Sequence, residues 1–225
     1  MVIALAIAVA GLQLSRSKTF QVFGGIHARA DTSRPLVAIT FDDGPNVTNT
    51  PPILAVLRRH GARATFFMTG ENLARHQDIA ASVAADGHEG ANHSYSHRRM
   101  VFVSPGFVRE EIEHTDRLLR GAGFTGDLLF RPPYAKKLLV LPYVMREMGR
   151  KTITWDVEAH DTETQDAAAL SSNVLDNVRP GSIVLFHDGG PPKPGTIEAL
   201  DKVLSVLRSR GFELVTVSQL LAAGT

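Results

Sequence analysis

The sequence predicts a single-domain α/β fold, an incomplete or deformed (β/α) barrel, on three observations. Short and nearly continuous apolar runs alternate with amphipathic stretches about seven times between Leu36 and Val217. No long interruption, composition shift, internal repeat or low-complexity tract divides them. The chain of 225 residues, 44% hydrophobic and 21% charged, is long enough for one large core. A doubly wound open sheet would show the same periodicity, and both architectures gather the loops that follow the strands on one face.

The first element is an uncharged apolar run, Val2 to Leu14, VIALAIAVAGLQL. It is shorter than the ~20 residues a spanning helix needs and fits the roughly 7 to 15 of a secretory h-region. Residues 1–34 therefore read as a signal-like or anchor-like leader with a polar connector, and residues 35–225 as the folded domain. This reading predicts a secreted or membrane-anchored, extracytoplasmic protein, with membrane attachment through the apolar segment. The alternative is a buried first strand or helix, since no Lys or Arg precedes the run.

Leu36 to Phe41 is apolar on both faces, as a strand buried in a parallel sheet would be. A helix follows, with Thr50 as its cap, Pro51 at its first position, and Ile53, Leu54, Val56 and Leu57 on its inner face before Gly61. The alternation continues with strand Ala64 to Met68, helix Glu71 to Ala85, a short strand around His88 to Asn92 and a helix from about Phe107 to Leu119. In that helix Val108, Ile112, Thr115 and Leu119 share a face. Leu128 to Phe130 reads as a brief strand, Lys137 to Met148 as a helix despite Pro142, and Lys151 to Val157 as a strand. Asp166 to Val178 is a helix, stopped by Pro180-Gly181. Ser182 to Phe186, a helix marked by Ile197, Leu200, Val203, Leu204 and Leu207, and a strand Leu214 to Val217 complete the chain.

The chemistry concentrates where the first strand ends, in Thr40-Phe41-Asp42-Asp43-Gly44-Pro45. Successive strand side chains face opposite ways, so Asp42 and Asp43 share a site only if the chain bends, and Gly44-Pro45 supplies the bend. Adjacent carboxylates repel, which asks for a cation between them and other ligands. The other strand ends carry His93 and His97, then Arg131, Asp161, and His187 with Asp188. The four-residue spacing of His93 and His97 lets one turn aim both imidazoles at one ion. With no cysteine in the chain, any metal site uses oxygen and imidazole ligands. The net charge of +1 argues against a nucleic-acid partner and favours neutral substrates. No oligomeric state follows from the sequence.

Five segments, TFDDGP (40–45), HSYSH (93–97), RPPY (131–134), Trp155 to Asp161 and LFHD (185–188), arrive in an order that is similar to the polysaccharide deacetylases. Specifically, the stretch from about Pro35 to Leu221 resembles the NodB-homology group, carbohydrate esterase family 4. The resemblance implies a deformed (β/α) barrel, a divalent metal, usually Zn2+, and removal of acetyl groups from polysaccharides such as chitin-like oligomers or peptidoglycan. It implies that Asp43, His93 and His97 hold the metal and that Asp42 is the general base, oriented by Arg131. It also implies oxyanion stabilisation by the backbone N–H of Tyr134, and His187 as general acid with Asp161 behind it. The chain departs from the family's DxxDW pattern in carrying Glu158 and Thr162. Loss of the tryptophan leaves Leu185 and Trp155 to wall the acetyl pocket. An acetylxylan-type O-acetyl esterase and a non-catalytic carbohydrate-binding relative are the competing functions. The other histidines read as structural, with His88 a possible brace for the metal loop.

Overall fold

Eight short strands and nine helices alternate along residues 2–224, the residues described by this computed structural model. Strand β2 (Leu36–Asp42), buried over its whole length, is the axis of the sheet. It pairs in parallel with β3 (Ala64–Met68) and β7 (Ile183–His187), and near its start with β8 (Glu213–Leu214). Outside these lie β4 (Glu89–Asn92) against β3 and β6 (Val157–Glu158) against β7, again parallel.

The row of strands curls back on itself. Phe130 bridges Asn92 of β4 to Thr152 of β5 (Thr152–Ile153), which pairs with β1 (Ile26–His27). Between β5 and β6 lie only Thr154, Trp155 and Asp156, so the two edges are at most about 14 Å apart along the chain. Six spacings of ~4.8 Å would put the same edges about 29 Å apart in a flat sheet. The architecture is thus an incomplete barrel with two-residue strands at its seam, and the open doubly wound sheet is excluded.

Strand alternation sorts the core. Val37, Ile39 and Phe41 point outward to α2 (Thr50–Arg59) and α8 (Pro194–Ser209), where Leu57, Leu200, Val203, Leu204 and Leu207 cover them. Phe41 stacks between Phe66 and Phe186 at 4.9 and 6.0 Å. Leu36 and Ala38 point inward, among Phe67, Ala91, Leu129, Ile153 and Leu185. Thr40 and Asp42 continue that inward parity, which carries a carboxylate to the mouth of the barrel.

Several elements depart from the sequence reading. The expected helix 71–85 is two, α3 (Gly70–Arg75) and α4 (Gln77–Ala85), broken at His76 with φ −137° and ψ 50°. The expected strand 151–157 divides into β5 and β6 as it crosses the seam, and Phe130 contributes only isolated bridges. In α6 (Val140–Glu147) Pro142 is accommodated because it falls in the first turn, where the amide has no partner within the helix. The last expected strand is cut short by α9 (Val217–Ala222), which starts in a capping box of Thr216 and Gln219. Two further helices are α5 (Pro105–Gly121) and α7 (Ala167–Leu175).

The apolar leader forms α1 (Val2–Arg16), and no helix of the described residues is long and apolar enough to cross a membrane. Within the segment read as connector, Ala28 and Ala30 are buried and the Ala30 amide donates to the Gly181 carbonyl at 2.8 Å. A Cβ on Gly181, at φ +86°, would collide with that Ala30 carbonyl, so the turn tolerates no side chain.

Candidate active site

Asp42 ends β2 buried to 3% exposure. Asp43 takes φ +73°, and this left-handed step turns the second carboxylate onto the side of the first. The bend is packed tightly from the other strand end: Cβ atoms on Gly44 and Gly189 would strike Asp188 and Asp43 respectively. Asn72 Nδ2 donates to the Asp43 carbonyl at 2.7 Å, and the Asp188 amide to the Asp42 carbonyl at 3.0 Å.

Asp43 Oδ1 is buried and receives no hydrogen bond. It lies 3.4 Å from His93 Nε2 and 3.0 Å from His97 Nε2, and the three ligand atoms fall within 4.8 Å of one another. His93 Nδ1 is 2.7 Å from the Arg131 carbonyl, which only accepts, so Nδ1 carries the hydrogen and Nε2 offers its lone pair to the cluster. Burial pulls the His93 pKa down, but the charges of Asp42 and Asp43 outweigh it and the net direction is up. Burial pushes Asp43 up, and the two facing imidazoles more than offset it, holding the carboxyl below its ordinary range. An orphaned carboxylate oxygen converging with two imidazole nitrogens fits a divalent cation with coordination positions left open.

Arg131 is fully buried, and its guanidinium occupies the barrel interior under Asp42. Nη1 donates to Asp42 Oδ1 at 2.6 Å and to Thr40 Oγ1 at 2.9 Å, and Nη2 to the Thr154 carbonyl at 3.2 Å. The Phe67 ring lies 3.9 Å from its central carbon. A buried, charge-assisted pair of this kind orients the carboxylate, and removing either partner strands the other charge.

Across the mouth, His187 ends β7, and its Nδ1 lies 2.7 Å from Asp161 Oδ1 while its amide donates to Oδ2 at 2.9 Å. Thr196 Oγ1 donates to Asp161 Oδ2 at 3.2 Å, and Lys193 Nζ to the Asp161 carbonyl at 3.0 Å. Burial lowers the His187 pKa, yet the Asp161 hydrogen bond and charge, with Asp42 and Asp43 beyond, leave it raised. Burial raises Asp161, and the bond and charge of His187 outweigh it, so Asp161 is held low.

Tyr134 sits in the 3-10 turn Pro133–Ala135 at φ +56°, half exposed, its ring 4.6 Å from the His97 ring. Leu185 and Trp155 lie together in the apolar interior of the barrel, beneath the mouth. The Trp155 indole donates to Glu158 Oε2 at 2.8 Å, and Lys18 Nζ stands 4.2 Å over its ring. A cleft lined by Asp43, Thr162, Gln165, His187 and Pro191 opens beside the site, with Thr162 on its wall. His88 is at the far end of the strands, accepting from the Ala64 amide at 3.3 Å, and burial pushes its pKa down to about 4.

Two carboxylates hold the site together: Glu111, absent from the sequence-derived set, and Asp188, which the sequence places at the strand end without a role. Glu111 of α5 accepts from the amides of Tyr95 and Ser96 at 3.0 and 2.9 Å and from Ser96 Oγ at 2.9 Å, anchoring the loop that carries His97. Its signal is a glutamate set between Val108 and Ile112 on the buried face of an amphipathic helix. Asp188 is fully buried, accepts from Thr50 Oγ1 at 2.6 Å and leaves Oδ1 without a partner. Burial pushes it up to about 7, with the charges of Asp43 and Asp42 adding to the rise. Thr50 does not cap α2 as the sequence reading has it: it is the first residue of that helix, whose N-cap is Asn49 without a side-chain cap bond, and its Oγ1 accepts instead from the Asn46 amide at 2.9 Å.

A barrel with an Asp-His-His cluster at its mouth, flanked by an Asp-Arg pair and a His-Asp pair, defines a metal-dependent hydrolase site. The polysaccharide deacetylase family model matches residues 29–153, and the chain belongs to that family. It is 36% identical over 197 residues to a peptidoglycan-N-acetylglucosamine deacetylase of Bacillus cereus, covering 87% of this chain and 70% of the relative. It is 33% identical over 204 residues to a chitooligosaccharide deacetylase of Azorhizobium caulinodans, covering 84% and 96%. The solved Bc1960 peptidoglycan N-acetylglucosamine deacetylase superposes with a TM-score of 0.83 at 32% identity, covering 86% of this chain and 91% of that one.

Proposed function

We propose that this protein hydrolyses the acetamido groups of an N-acetylated cell-wall or chitin-like polysaccharide, with Asp43, His93 and His97 holding Zn2+. The donor set, one carboxylate and two imidazoles with open positions, is one that zinc takes in catalytic sites. When bound, the ion supplies Lewis acidity, polarising the acetyl carbonyl and lowering the pKa of coordinated water.

The protein groups divide the remaining work. Asp42, oriented by Arg131 at 2.6 Å, takes the proton of the attacking water. The Tyr134 amide, on its strained turn, donates to the oxygen that gains charge as the carbonyl is attacked. His187, held by Asp161 and raised in pKa, returns a proton to the sugar nitrogen as the C–N bond breaks, without which an amine is a poor leaving group. The observation that carries the reading is that Asp42 and Asp43, His93 and His97, and His187 converge on one face from the ends of three separate strands. An extracytoplasmic location, with the apolar N-terminal segment as signal or anchor, follows from a cell-wall substrate.

Acetate release from chito-oligosaccharides, peptidoglycan and acetylxylan, with Asp42→Asn as control and metal content measured in parallel, tests this. Release from the amide substrates by wild type alone is expected. Release from acetylxylan alone identifies an O-acetyl esterase, and silence on every substrate and metal identifies a carbohydrate-binding relative.

A further inference from the structure

The near-neutral total charge of +1 conceals a local excess beside the active site. Moving outward from His97, the next ring is Tyr134, and the Arg99 guanidinium carbon lies 4.9 Å over that ring. Lys136 follows two residues later. Three segments meet here: Met100 bridges Lys137, and the Lys137 amide donates at 3.3 Å to Ser15 at the end of α1. That junction brings Arg16 to the same rim. Burial and then the charges of Arg16 and Arg99 depress the Lys136 pKa, so Lys136 lies within the field of both.

Among the described residues, Arg16, Arg99 and Lys136 form no ion pair with any carboxylate. Nearby Lys18, by contrast, is neutralised by Glu158 at 3.0 Å. Cations gathered without a counterion on the Tyr134 side of His97 make a locus of positive potential that an anion relieves.

From this juxtaposition we propose that Arg16, Arg99 and Lys136 form a subsite for a carboxylate on the glycan, so that the preferred substrate is an acidic N-acetylated polysaccharide and not a neutral one. The proposal rests on the deacetylase reading. It also revises the expectation of neutral substrates, because the charge that matters is the local one at the rim. Peptidoglycan strands carry carboxylates and chitin-like oligomers do not, which selects between the two substrate classes.

Binding to the zinc-loaded full chain carrying Asp42→Asn tests the subsite without depending on turnover. Calorimetry is run at low and high salt with soluble peptidoglycan strands, the same strands with their carboxyl groups amidated, and chito-oligosaccharide of equal length. The carboxylated strands are expected to bind about tenfold more tightly than the amidated ones at low salt, with the difference screened at high salt. Adding Arg99→Gln and Lys136→Gln should bring that ratio to within twofold, with circular dichroism verifying the fold. Equal binding of both strand forms, or a preference that survives neutralisation, overturns the proposal. So does tight binding to phosphatidylglycerol vesicles without carboxylate preference, which makes the rim a membrane contact. Intact carboxylate preference with no acetate released by wild type refutes the deacetylase reading and leaves the subsite standing.

Discussion

Replacing Glu111 with alanine is expected to weaken metal binding without touching a ligand. The carboxylate accepts three hydrogen bonds, from Tyr95 N, Ser96 N and Ser96 Oγ, all at 2.9 to 3.0 Å, and is itself 7% exposed. Bonds to a charged acceptor contribute about 1.5–3 kcal/mol each, so three give an upper bound near 9 kcal/mol. Ser96 is only partly buried, and water can reach the freed groups once the side chain is gone. The realised loss is therefore about 2–4 kcal/mol of folding stability. His97 stands at φ +55° on the loop these bonds hold, so its Nε2 loses its fixed distance to Asp43. Loss of a partner that orients a ligand typically costs about 10- to 100-fold in metal affinity. Urea unfolding of chelator-treated protein measures the first quantity and calorimetric zinc titration the second. Glu111→Gln, which keeps one acceptor oxygen, should fall between alanine and wild type. Stability within about 0.5 kcal/mol and zinc affinity within about threefold of wild type in the alanine variant would refute the anchoring role.

Asp42→Asn should abolish turnover while retaining zinc, and Asp43→Asn should lose zinc affinity itself; equal affinities in the two variants would overturn the division of roles. Because His187 must be protonated to act and its pKa is raised, kcat should fall as pH rises through that pKa. Asp161→Asn removes the opposing charge, so this basic limb should move about 1–3 units toward acid, and an unmoved limb would exclude His187 as the acid. Asp188, raised from 3.8 to about 7, favours the neutral form when folded, so its contribution is full below pH 4 and lost as pH rises through 7. That contribution is on the order of 4 kcal/mol, and Asp188→Asn should flatten the dependence of chelated-protein stability over this range; a persisting slope would argue for another group. Chelation of the wild type should abolish acetate release, and zinc should restore it.

The parts of the site legible in the sequence are those encoded over a few residues. Two aspartates before Gly44-Pro45 already imply a bend, and His93 and His97 already imply a shared ligand, because strand alternation and four-residue spacing are local geometry. The buried strands β2, β3 and β7 were equally legible, since both faces must be apolar. What only the tertiary structure decided arises across long separations. Phe130 ties β4 to β5 and so closes a row that periodicity leaves open; β1 emerges from a segment too polar to announce itself. The pairing of Arg131 with Asp42, implied by the family resemblance, gets its physical cause only here, in the shared inward parity of Thr40 and Asp42 on β2. Glu111 and Asp188 acquire their partners, the loop at 95–96 and Thr50, only when helix and strand ends are packed together. A hydrogen bond formed between residues brought together by folding leaves no periodic trace in the chain, whereas a turn or a strand face must be written where it stands.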